Sequence, residues 1–459
     1  MPHRDQQSRT SNASNAQDLG AALDPFLKRA NWGPVEFRSD CNWTPRGLAI
    51  AALMWACSGG SSLKERLEDA RKVAKNIENK GAPKKISYNA FMHLLRRWTF
   101  DLRPILLAAL HQLIEYEHGD GLYYAGYLVL GGDGTKIELP RTESNQAAYS
   151  PRSKGRKSKN KKRSRARSKQ ARARESKQKK SDSPQMLLTM LHHVRLQIPW
   201  DWRWGPSDGS ERDQLLKMLP GLPENALIAA DCGFVGYEFW SALLASKRQF
   251  VIRVGGNVKL LKKRGHVRGN EVWLWPDKAL RKKQPPLKLR LVKVRTERQE
   301  WYLVTSVLRA SELTDKQVGE IYSMRWRIEV FFRSFKGSFG RSKLRSHTAQ
   351  HAAVELEWSL LGMAFMLSYA RSQVPDLDDP ISVARMLRAF RRAISHDEEC
   401  PPDDRRLQAR LSKAVVDRYQ RKDKRSRNYP RKKYEVQAKP PRIAAITKRH
   451  IHTAKQLAA

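Results

Sequence analysis

The sequence has few cysteines, no signal-peptide pattern and no long apolar run, and each of these shortages excludes a class of protein. Its four cysteines are widely separated, with no CxxC pair, so neither a disulfide framework nor a zinc knuckle is indicated. Isolated thiols are typical of a reducing compartment. The polar N-terminus lacks the apolar core of a signal peptide, and the most apolar late run, residues 358–370, is too short to span a membrane. We therefore expect a cytoplasmic protein with no membrane association.

Acidic residues are also scarce relative to basic ones. The 459 residues include 88 Lys and Arg against 46 Asp and Glu, which gives a formal net charge of +42. Residues 151–180 hold 16 basic residues and one acid, and residues 401–459 hold 18 against five, so these two stretches carry +15 and +13 of the total. Such a chain attracts polyanions by direct charge and counterion release, and nucleic acid is the default partner.

The length predicts two or three domains, and changes in sequence pattern divide the chain into six segments. Strand-like runs that alternate with helical segments predict the α/β class for the middle of the chain. In order, the predicted segments are a disordered tail (1–23), a helical domain (24–117), the first part of an α/β core (118–248) with a basic disordered loop at 151–182, a β-rich insertion (249–310), the second part of the core (311–372) and a basic C-terminal region (373–459).

The helical N-terminal domain has two interpretations. Ser87 is placed to cap an amphipathic helix, and Lys84, Lys85, Arg96 and Arg97 give the domain a basic face. It is therefore either a helix-turn-helix-like domain that binds the DNA end or a helical cap packed on the core. No residue that reads a base can be named from the sequence.

Two aspartates end apolar, strand-like runs and are followed by glycine. They are Asp133 in GGDGT and Asp231 in AADCGF. Side chains at strand ends in α/β sheets project into the crevice where ligands bind, although a lone aspartate in such a position is commonly a turn residue. Asp201 and Asp208 are rival second acids, but the segment PWDWRWGP lacks the strand-end and glycine context of Asp231.

A late segment, predicted as one helix that starts near Thr314 and is ended by Gly337 and Gly340, combines cations with a single acid. Tyr322, Arg325, Glu329 and Lys336 fall at i, i+3, i+7 and i+14, which places them in a stripe roughly 60° wide. An apolar stripe of similar width lies beside it, made of Ile321, Ile328, Phe332, Phe335 and Phe339. Buried on this apolar stripe, the helix would hold the polar stripe along the rim of a cleft. An ordinary exposed Arg325–Glu329 ion pair is the alternative, and the spacing alone does not decide between the two.

In residue type and in spacing, the polar stripe resembles the YREK signature of bacterial insertion-sequence DDE transposases of the IS-four type. The contexts of Asp133 and Asp231 are similar to those of the first and second catalytic aspartates of that family. A β-rich insertion between the second aspartate and the glutamate is another feature of the group. The resemblance covers residues 122–372.

The resemblance implies a ribonuclease H-like core, with a mixed sheet flanked by helices. Asp133, Asp231 and Glu329 would then be the catalytic residues and hold two Mg²⁺ ions, or Mn²⁺ in their place. Hard divalent cations prefer oxygen ligands, and two of them about 3.5–4 Å apart can activate the attacking oxygen and stabilise the leaving one. The implied activity is DNA cleavage at the ends of an insertion sequence, followed by strand transfer into target DNA.

The resemblance also implies how DNA would be bound. Arg325 and Lys336 would grip phosphates and Tyr322 would contact the terminal nucleotides, while a tryptophan of the insertion would stack on a flipped base. Trp273 and Trp275 are the candidates for that tryptophan. The expected partners are double-stranded DNA, as terminal inverted repeats and as target, and a second copy of the chain in a homodimer. Two rival functions stay open: a metal-dependent nuclease without strand transfer, and a domesticated, non-catalytic DNA-binding protein.

Overall fold

The computed structural model describes ten stretches of the chain: residues 3–78, 81–83, 85–151, 183–262, 270–295, 300–374, 376–377, 379–395, 406–414 and 439–457. Apart from residue 151, the basic loop predicted at 151–182 lies outside the described residues, and so do residues 415–438 of the basic C-terminal region. Within the described stretches, no helix combines the length and the apolar character needed to cross a membrane.

The described chain forms fourteen α-helices and ten strands. The helices are α1 (His3–Leu27), α2 (Pro45–Cys57), α3 (Leu63–Glu78), α4 (Tyr88–His118), α5 (Glu143–Tyr149), α6 (Glu211–Leu216), α7 (Tyr237–Ala245), α8 (Asp277–Arg281), α9 (Asp315–Met324), α10 (Trp326–Lys336), α11 (Ala349–Ser372), α12 (Val383–Ser395), α13 (Leu407–Ala414) and α14 (Lys448–Gln456). The strands are β1 (Leu128–Glu138), β2 (Gln185–His193), β3 (Ile198–Pro206), β4 (Ala226–Ala230), β5 (Gln249–Val254), β6 (Lys259–Lys262), β7 (Glu271–Leu274), β8 (Leu287–Arg295), β9 (Glu300–Thr305) and β10 (Arg442–Ala445).

All ten strands belong to one mixed sheet in the order β10-β6-β7-β8-β9-β5-β4-β1-β2-β3. In its core half, β1, β2 and β3 form an antiparallel meander, and β4 and β5 run parallel to β1. This core of three antiparallel strands extended by two parallel ones is the mixed sheet that a ribonuclease H-like fold requires. The predicted fold class is confirmed.

The β-rich insertion extends this sheet instead of forming a separate one. Strand β9 pairs antiparallel with β5 and continues through β8, β7 and β6. Strand β5 was predicted to be the first strand of the insertion (249–310), but it belongs to the core, parallel to β4. Its apolar run FVI is buried, as is typical of a parallel strand covered on both faces. The insertion therefore begins after Val254.

The N-terminal segment 1–23, predicted to be disordered, is helical from His3 onward. Leu19, Leu23 and Phe26 recur at helical spacing and are buried, because α1 packs its apolar stripe on the core. The Phe26 ring stacks on Phe365 of α11 at 5.7 Å. Disorder was predicted because the start of this segment is strongly polar, although the second half of the same helix is amphipathic.

The remaining N-terminal helices also pack on the core. Ser87 caps α4 as predicted, since its side chain accepts a hydrogen bond from the Ala90 N–H. Trp358 of α11 donates to the Thr99 hydroxyl of α4 at 2.8 Å, and both groups are buried. The N-terminal helices, α11 and one face of the sheet thus share one hydrophobic core.

Candidate active site

Sheet register brings the two predicted aspartates together. Gly132 of β1 lies opposite Ala230 of β4 in a parallel pair, and the next residue in each segment is the aspartate. Asp231 directly follows the end of β4, as predicted, but the prediction that Asp133 ends its strand was wrong, because β1 continues to Glu138 through its pairing with β2. Neighbouring strands lie about 4.8 Å apart. The Asp133 carboxylate accepts a hydrogen bond from the Gly134 N–H at 2.8 Å, and Asp231 accepts one from the Gly233 N–H at 2.7 Å. Each backbone donor therefore orients one carboxylate at the point where β4 ends.

The segment that bears Glu329 forms two helices instead of the single predicted one. The break falls at Arg325, between α9 and α10, where the Ile328 N–H donates to the Arg325 carbonyl three residues back. The predicted apolar stripe is buried throughout, from Ile321 to Phe339. With that stripe in the core, α10 lies against β1, and Glu329 binds Arg325, which also lies beside Asp133.

Arg325 joins the first and third acids of the predicted triad. Its Nη2 donates to Glu329 Oε1 at 2.8 Å, and its Nη1 lies 3.9 Å from Asp133 Oδ2. The Arg325 side chain is only 9% exposed, so this is not the exposed ion pair of an ordinary helix surface. One buried cation is shared between two carboxylates that are almost two hundred residues apart in sequence.

The local electrostatics are those of crowded carboxylates. Burial, together with the neighbouring carboxylates of Asp231 and Glu211, raises the pKa of Asp133 to about 6 against the opposing effects of the Gly134 N–H and Arg325. Burial and then Asp231 likewise raise the pKa of Glu211. The acids therefore carry more negative charge than Arg325 alone neutralises.

Glu211 is a functional candidate that the sequence analysis missed. As the first residue of α6, directly after the Ser210 cap, it has the pattern of an ordinary acidic residue in a first helical turn. Its carboxylate packs against the backbone of Gly134, so that a Cβ added there would lie 2.3 Å from Glu211 Oε1. In the sequence, the only feature related to this contact is Gly134, whose lack of a side chain leaves room for Glu211.

The donor set fits a divalent metal in chemistry but is not assembled around one. Mg²⁺ and Mn²⁺ prefer oxygen ligands, and Asp133, Asp231 and Glu329 supply only carboxylate oxygens. Among the described residues, however, no three His, Cys, Asp or Glu side chains are close enough to hold a metal ion. The Arg325 guanidinium supplies the positive charge between Asp133 and Glu329 in this arrangement.

Tyr322 lies beside Arg325 but is largely buried. The residue is 5% exposed, and the guanidinium carbon of Arg325 is 5.4 Å from the centre of its ring. Burial raises the pKa of the Tyr322 hydroxyl, against the opposing effect of the Arg325 and Arg253 cations. The ring of Trp301, on β9, meets Tyr322 edge-on at 5.3 Å. Trp301 is thus a tryptophan of the insertion that the structure brings to the signature residues and that the sequence analysis did not select.

The two tryptophans that were selected lie elsewhere in the insertion. Trp275 is 6% exposed and donates to the Gln284 carbonyl at 2.8 Å, and its ring contacts His450 of α14. Trp273, on β7, donates to Glu271 at 3.1 Å. In the described part of the chain, the ring contacts of both remain within the insertion and α14.

Lys336 lies at the far end of α10 from Arg325. Burial lowers its pKa, and the nearby carboxylate of Glu138, the last residue of β1, opposes that effect. Helix α10 packs against β1, and Glu138 lies five strand residues after Asp133. Lys336, near Glu138, is therefore roughly 16 Å from Asp133 along the strand. The structure therefore gathers Asp133, Asp231, Glu329, Arg325 and Tyr322 but keeps Lys336 apart.

Comparisons with known proteins identify the family of the chain. The family model described as the transposase DDE domain matches residues 129–367, just over half of the chain. Transposase InsG for insertion sequence element IS4 from Escherichia coli (strain K12) is 27% identical over 207 residues, which are 43% of this chain and 45% of that protein. The chain thus aligns with less than half of that relative's length.

A solved structure with a related description is the cryo-EM structure of the piggyBac transposase synaptic complex with hairpin DNA. It shares 12% sequence identity with this chain at a TM-score of 0.38, over 89% of this chain and 88% of that one. The fold assignment rests on the strand order, not on this weak likeness. Because the family model covers more than half of the chain, the chain belongs to the transposase DDE domain family.

Proposed function

We propose that this protein is a transposase that cleaves DNA at the ends of an insertion sequence and transfers the freed strand into target DNA. The observation that carries the proposal is the buried Arg325 guanidinium, which lies between the carboxylates of Asp133 and Glu329, with Asp231 as a close neighbour of Asp133. Membership of the DDE family supports the reaction class. The net charge of +42 supports a polyanionic substrate.

Divalent ions, which this family generally uses, would be held by Asp133, Asp231 and Glu329 and would supply Lewis-acid assistance to phosphoryl transfer. The chain prepares these ligands in two ways. Backbone N–H groups of Gly134 and Gly233 orient the two aspartates. The pKa of Asp133, about 6, still leaves this carboxylate mostly ionised at neutral pH, as a ligand must be.

Arg325 would change partners when DNA binds. A guanidinium forms two parallel hydrogen bonds to a phosphate as readily as to a carboxylate. A backbone phosphate at the cleavage point would draw Arg325 away from Glu329 and Asp133, and both carboxylates would then be free to act as ligands. The separation of Lys336 from this point suits a second phosphate farther along the same DNA end.

Tyr322 and Trp301 would act on the terminal nucleotides. Their edge-on contact supports Trp301 as the tryptophan that stacks on a displaced base, because it lies beside the signature residues. Trp273 and Trp275 remain candidates for DNA contacts farther out on the insertion. Two copies of the chain, one for each element end, would form the paired complex.

The test is cleavage of a labelled duplex that carries the terminal inverted repeat found beside this gene. Wild type is compared with Glu329→Gln in Mg²⁺ or Mn²⁺, and Glu312→Gln, which alters an exposed ion pair with Arg309, serves as the matched control. We expect nicking at the repeat boundary, a loss of at least about a hundredfold in Glu329→Gln, and unchanged DNA binding in both variants.

Joined products distinguish a transposase from the rival nuclease, which would give cleavage without them. If tight and specific binding occurs without cleavage in either metal, the proposed activity is wrong and the domesticated DNA-binding protein is the better description.

A further inference from the structure

A basic cleft, separate from the carboxylate site, lies where helix α4 meets the edge of the sheet formed by β3. Its volume is about 470 Å³. Helix α4 forms one wall, α5 and β3 form the floor, and the beginning of α11 forms the opposite wall. The side chains that give it its chemistry are His93, Arg96, Arg97, Phe100, Tyr149 and Trp204. Of these residues, the sequence analysis considered only Arg96 and Arg97, as part of a basic face.

The cations of this cleft lack acidic partners. Arg96 and Arg97 are both exposed, and within the described stretches neither forms a salt bridge with a carboxylate. The Arg97 guanidinium carbon lies 5.1 Å from the centre of the Trp98 ring, so its position is supported by an aromatic face and its charge stays available. Both side chains are therefore available to bind an anion.

The opposite wall supplies a second source of positive potential. Helix α11 has 24 residues and begins at the cleft with Ala349 and Gln350, after the Thr348 cap. The N-terminus of a long helix attracts anions, because its dipole is positive there. In α11 the Ala349 N–H donates to the Ser144 hydroxyl and the His351 N–H to the Thr348 hydroxyl, so the attraction comes from the dipole and not from these two donors. The pKa of His351 is lowered by burial and then by the Arg96 cation, which therefore lies within electrostatic reach of this helix end.

The floor of the cleft is aromatic and held in place from below. Trp204 meets Phe100 at 6.2 Å and Tyr149 at 6.4 Å between ring centres. The Trp204 indole N–H donates to Glu357 at 3.0 Å, and Glu357, which is 1% exposed, is also bound by Arg103. Phe100 nevertheless remains 48% exposed. An exposed phenylalanine ring beside a tryptophan ring that is held in place gives a planar ligand, such as a base, a surface on which to stack.

The position of the cleft relative to the carboxylates follows from the sheet register. Trp204 lies opposite Leu188 of β2, and Leu188 lies opposite Thr135 of β1, two residues after Asp133. Two strand spacings combined with two residues along β1 amount to roughly 12 Å, or roughly three to four base-pair steps at 3.4 Å each. The cleft and the carboxylates are therefore close enough for one DNA molecule to contact both.

We propose that this cleft is a second DNA-binding site, in which a base stacks on Phe100 and Trp204 while its flanking phosphates bind Arg96, Arg97 and the N-terminus of α11. The inference rests on the proposed function for the identity of the polymer. An apolar ligand would leave the arginines and the helix N-terminus unused, and a simple anion would leave the aromatic floor unused. A nucleotide unit of a DNA strand uses all three.

The test uses the full-length protein and a fluorescein-labelled duplex whose unpaired 3′ extension carries 5-iodouracil at one position at a time. One probe contains the inverted repeat and a second has an unrelated sequence, which separates element ends from target DNA. The variants are Phe100→Ala and the pair Arg96→Gln/Arg97→Gln. The matched control is Arg388→Gln/Arg392→Gln, which removes the same charge from an exposed face of α12.

We expect ultraviolet light to crosslink at least one of the probes to a peptide that contains Phe100 or Trp204. Phe100→Ala should weaken binding roughly fivefold to a hundredfold, the range for loss of one stacked base. The Arg96/Arg97 variant should bind more weakly than the control and lower the slope of log affinity against log salt by about 1.5, because two phosphate contacts are lost. All five altered positions are solvent-accessible in wild type, and thermal melting checks that each variant is folded.

The proposal is overturned if crosslinks form only outside α4 and β3, or if the Arg96/Arg97 variant has the affinity and salt slope of the control. Cleavage is assayed in parallel to keep the two proposals apart. If the wild type crosslinks at Phe100 without cleaving, the cleft stands and the transposase activity fails. If the wild type cleaves and the Arg96/Arg97 variant binds like the control, the activity stands and the cleft fails.

Discussion

Arg325 donates a hydrogen bond of 2.8 Å to Glu329, one helical turn later, from a largely buried position. The same guanidinium lies 3.9 Å from Asp133. A single protein cation therefore occupies the place between two carboxylates where the family resemblance implies metal. This relationship links the charge state of the site to whatever competes for Arg325.

Replacing Arg325 by Gln should increase the affinity of the DNA-free protein for Mn²⁺ by about tenfold or more, because a unit charge close to the carboxylates is removed. Isothermal titration calorimetry at pH 8, where the acids are ionised, measures the change. Arg333→Gln removes an exposed cation from the same helix and should change the affinity little. Equal Mn²⁺ affinities in wild type and Arg325→Gln would show that Arg325 does not compete with metal.

Replacing Gly134 by Ala should reduce DNA cleavage, because the new Cβ would lie 2.3 Å from the Glu211 carboxylate. Either Glu211 or the backbone beside Asp133 must then move. Glu211→Ala in the same chain should restore part of the lost rate, and a double-mutant cycle quantifies the coupling. If the losses of cleavage activity in the two single variants simply add in the double variant, the Gly134–Glu211 contact does not position Asp133.

Replacing Glu357 by Gln should lower the free energy of unfolding by about 3 kcal/mol, since it leaves Arg103 with less compensation in a buried site. Urea denaturation followed by far-ultraviolet circular dichroism measures the loss. Glu300→Gln, in an exposed ion-pair network with Lys293 and Arg295, is the control and should change stability much less. Similar losses in both variants would contradict a special role for the Glu357 cluster.

Acid should destabilise the protein through two buried histidines. Burial lowers the pKa of His192 and of His193 to about 3 from the ordinary value of 6.5. Between these values the unfolded chain binds protons that the native state excludes, so stability is full above pH 6.5 and falls as the pH decreases toward 3. His192→Leu should flatten this slope by up to about 1.4 kcal/mol per pH unit.

The measurement for the histidine prediction is urea denaturation at half-unit steps from pH 4 to pH 8. His347→Gln, which alters an exposed histidine, should keep the wild-type slope. An unchanged slope in His192→Leu would mean that His192 binds a proton as readily in the folded protein as in the unfolded chain.

The sequence was sufficient for features that depend on neighbouring residues. The caps at Ser87, Ser210 and Thr314 formed as their local patterns indicate. The apolar stripe from Ile321 to Phe339 is buried, because spacing along a helix determines which side chains share a face. The family match agrees with the resemblance drawn from the polar stripe and the aspartate contexts.

Only the tertiary structure decided which distant side chains meet. Nothing local to Glu211 signals its contact with Gly134, and nothing in the insertion distinguishes Trp301 from Trp273 before β9 is paired with β5. The formation of α1 as an ordered helix, where disorder was predicted, depends in the same way on contacts with α11, more than three hundred residues later. A sequence pattern reports periodicity over a few turns or strand residues, whereas contacts such as these depend on strand order and helix packing, which bring together segments that are remote along the chain.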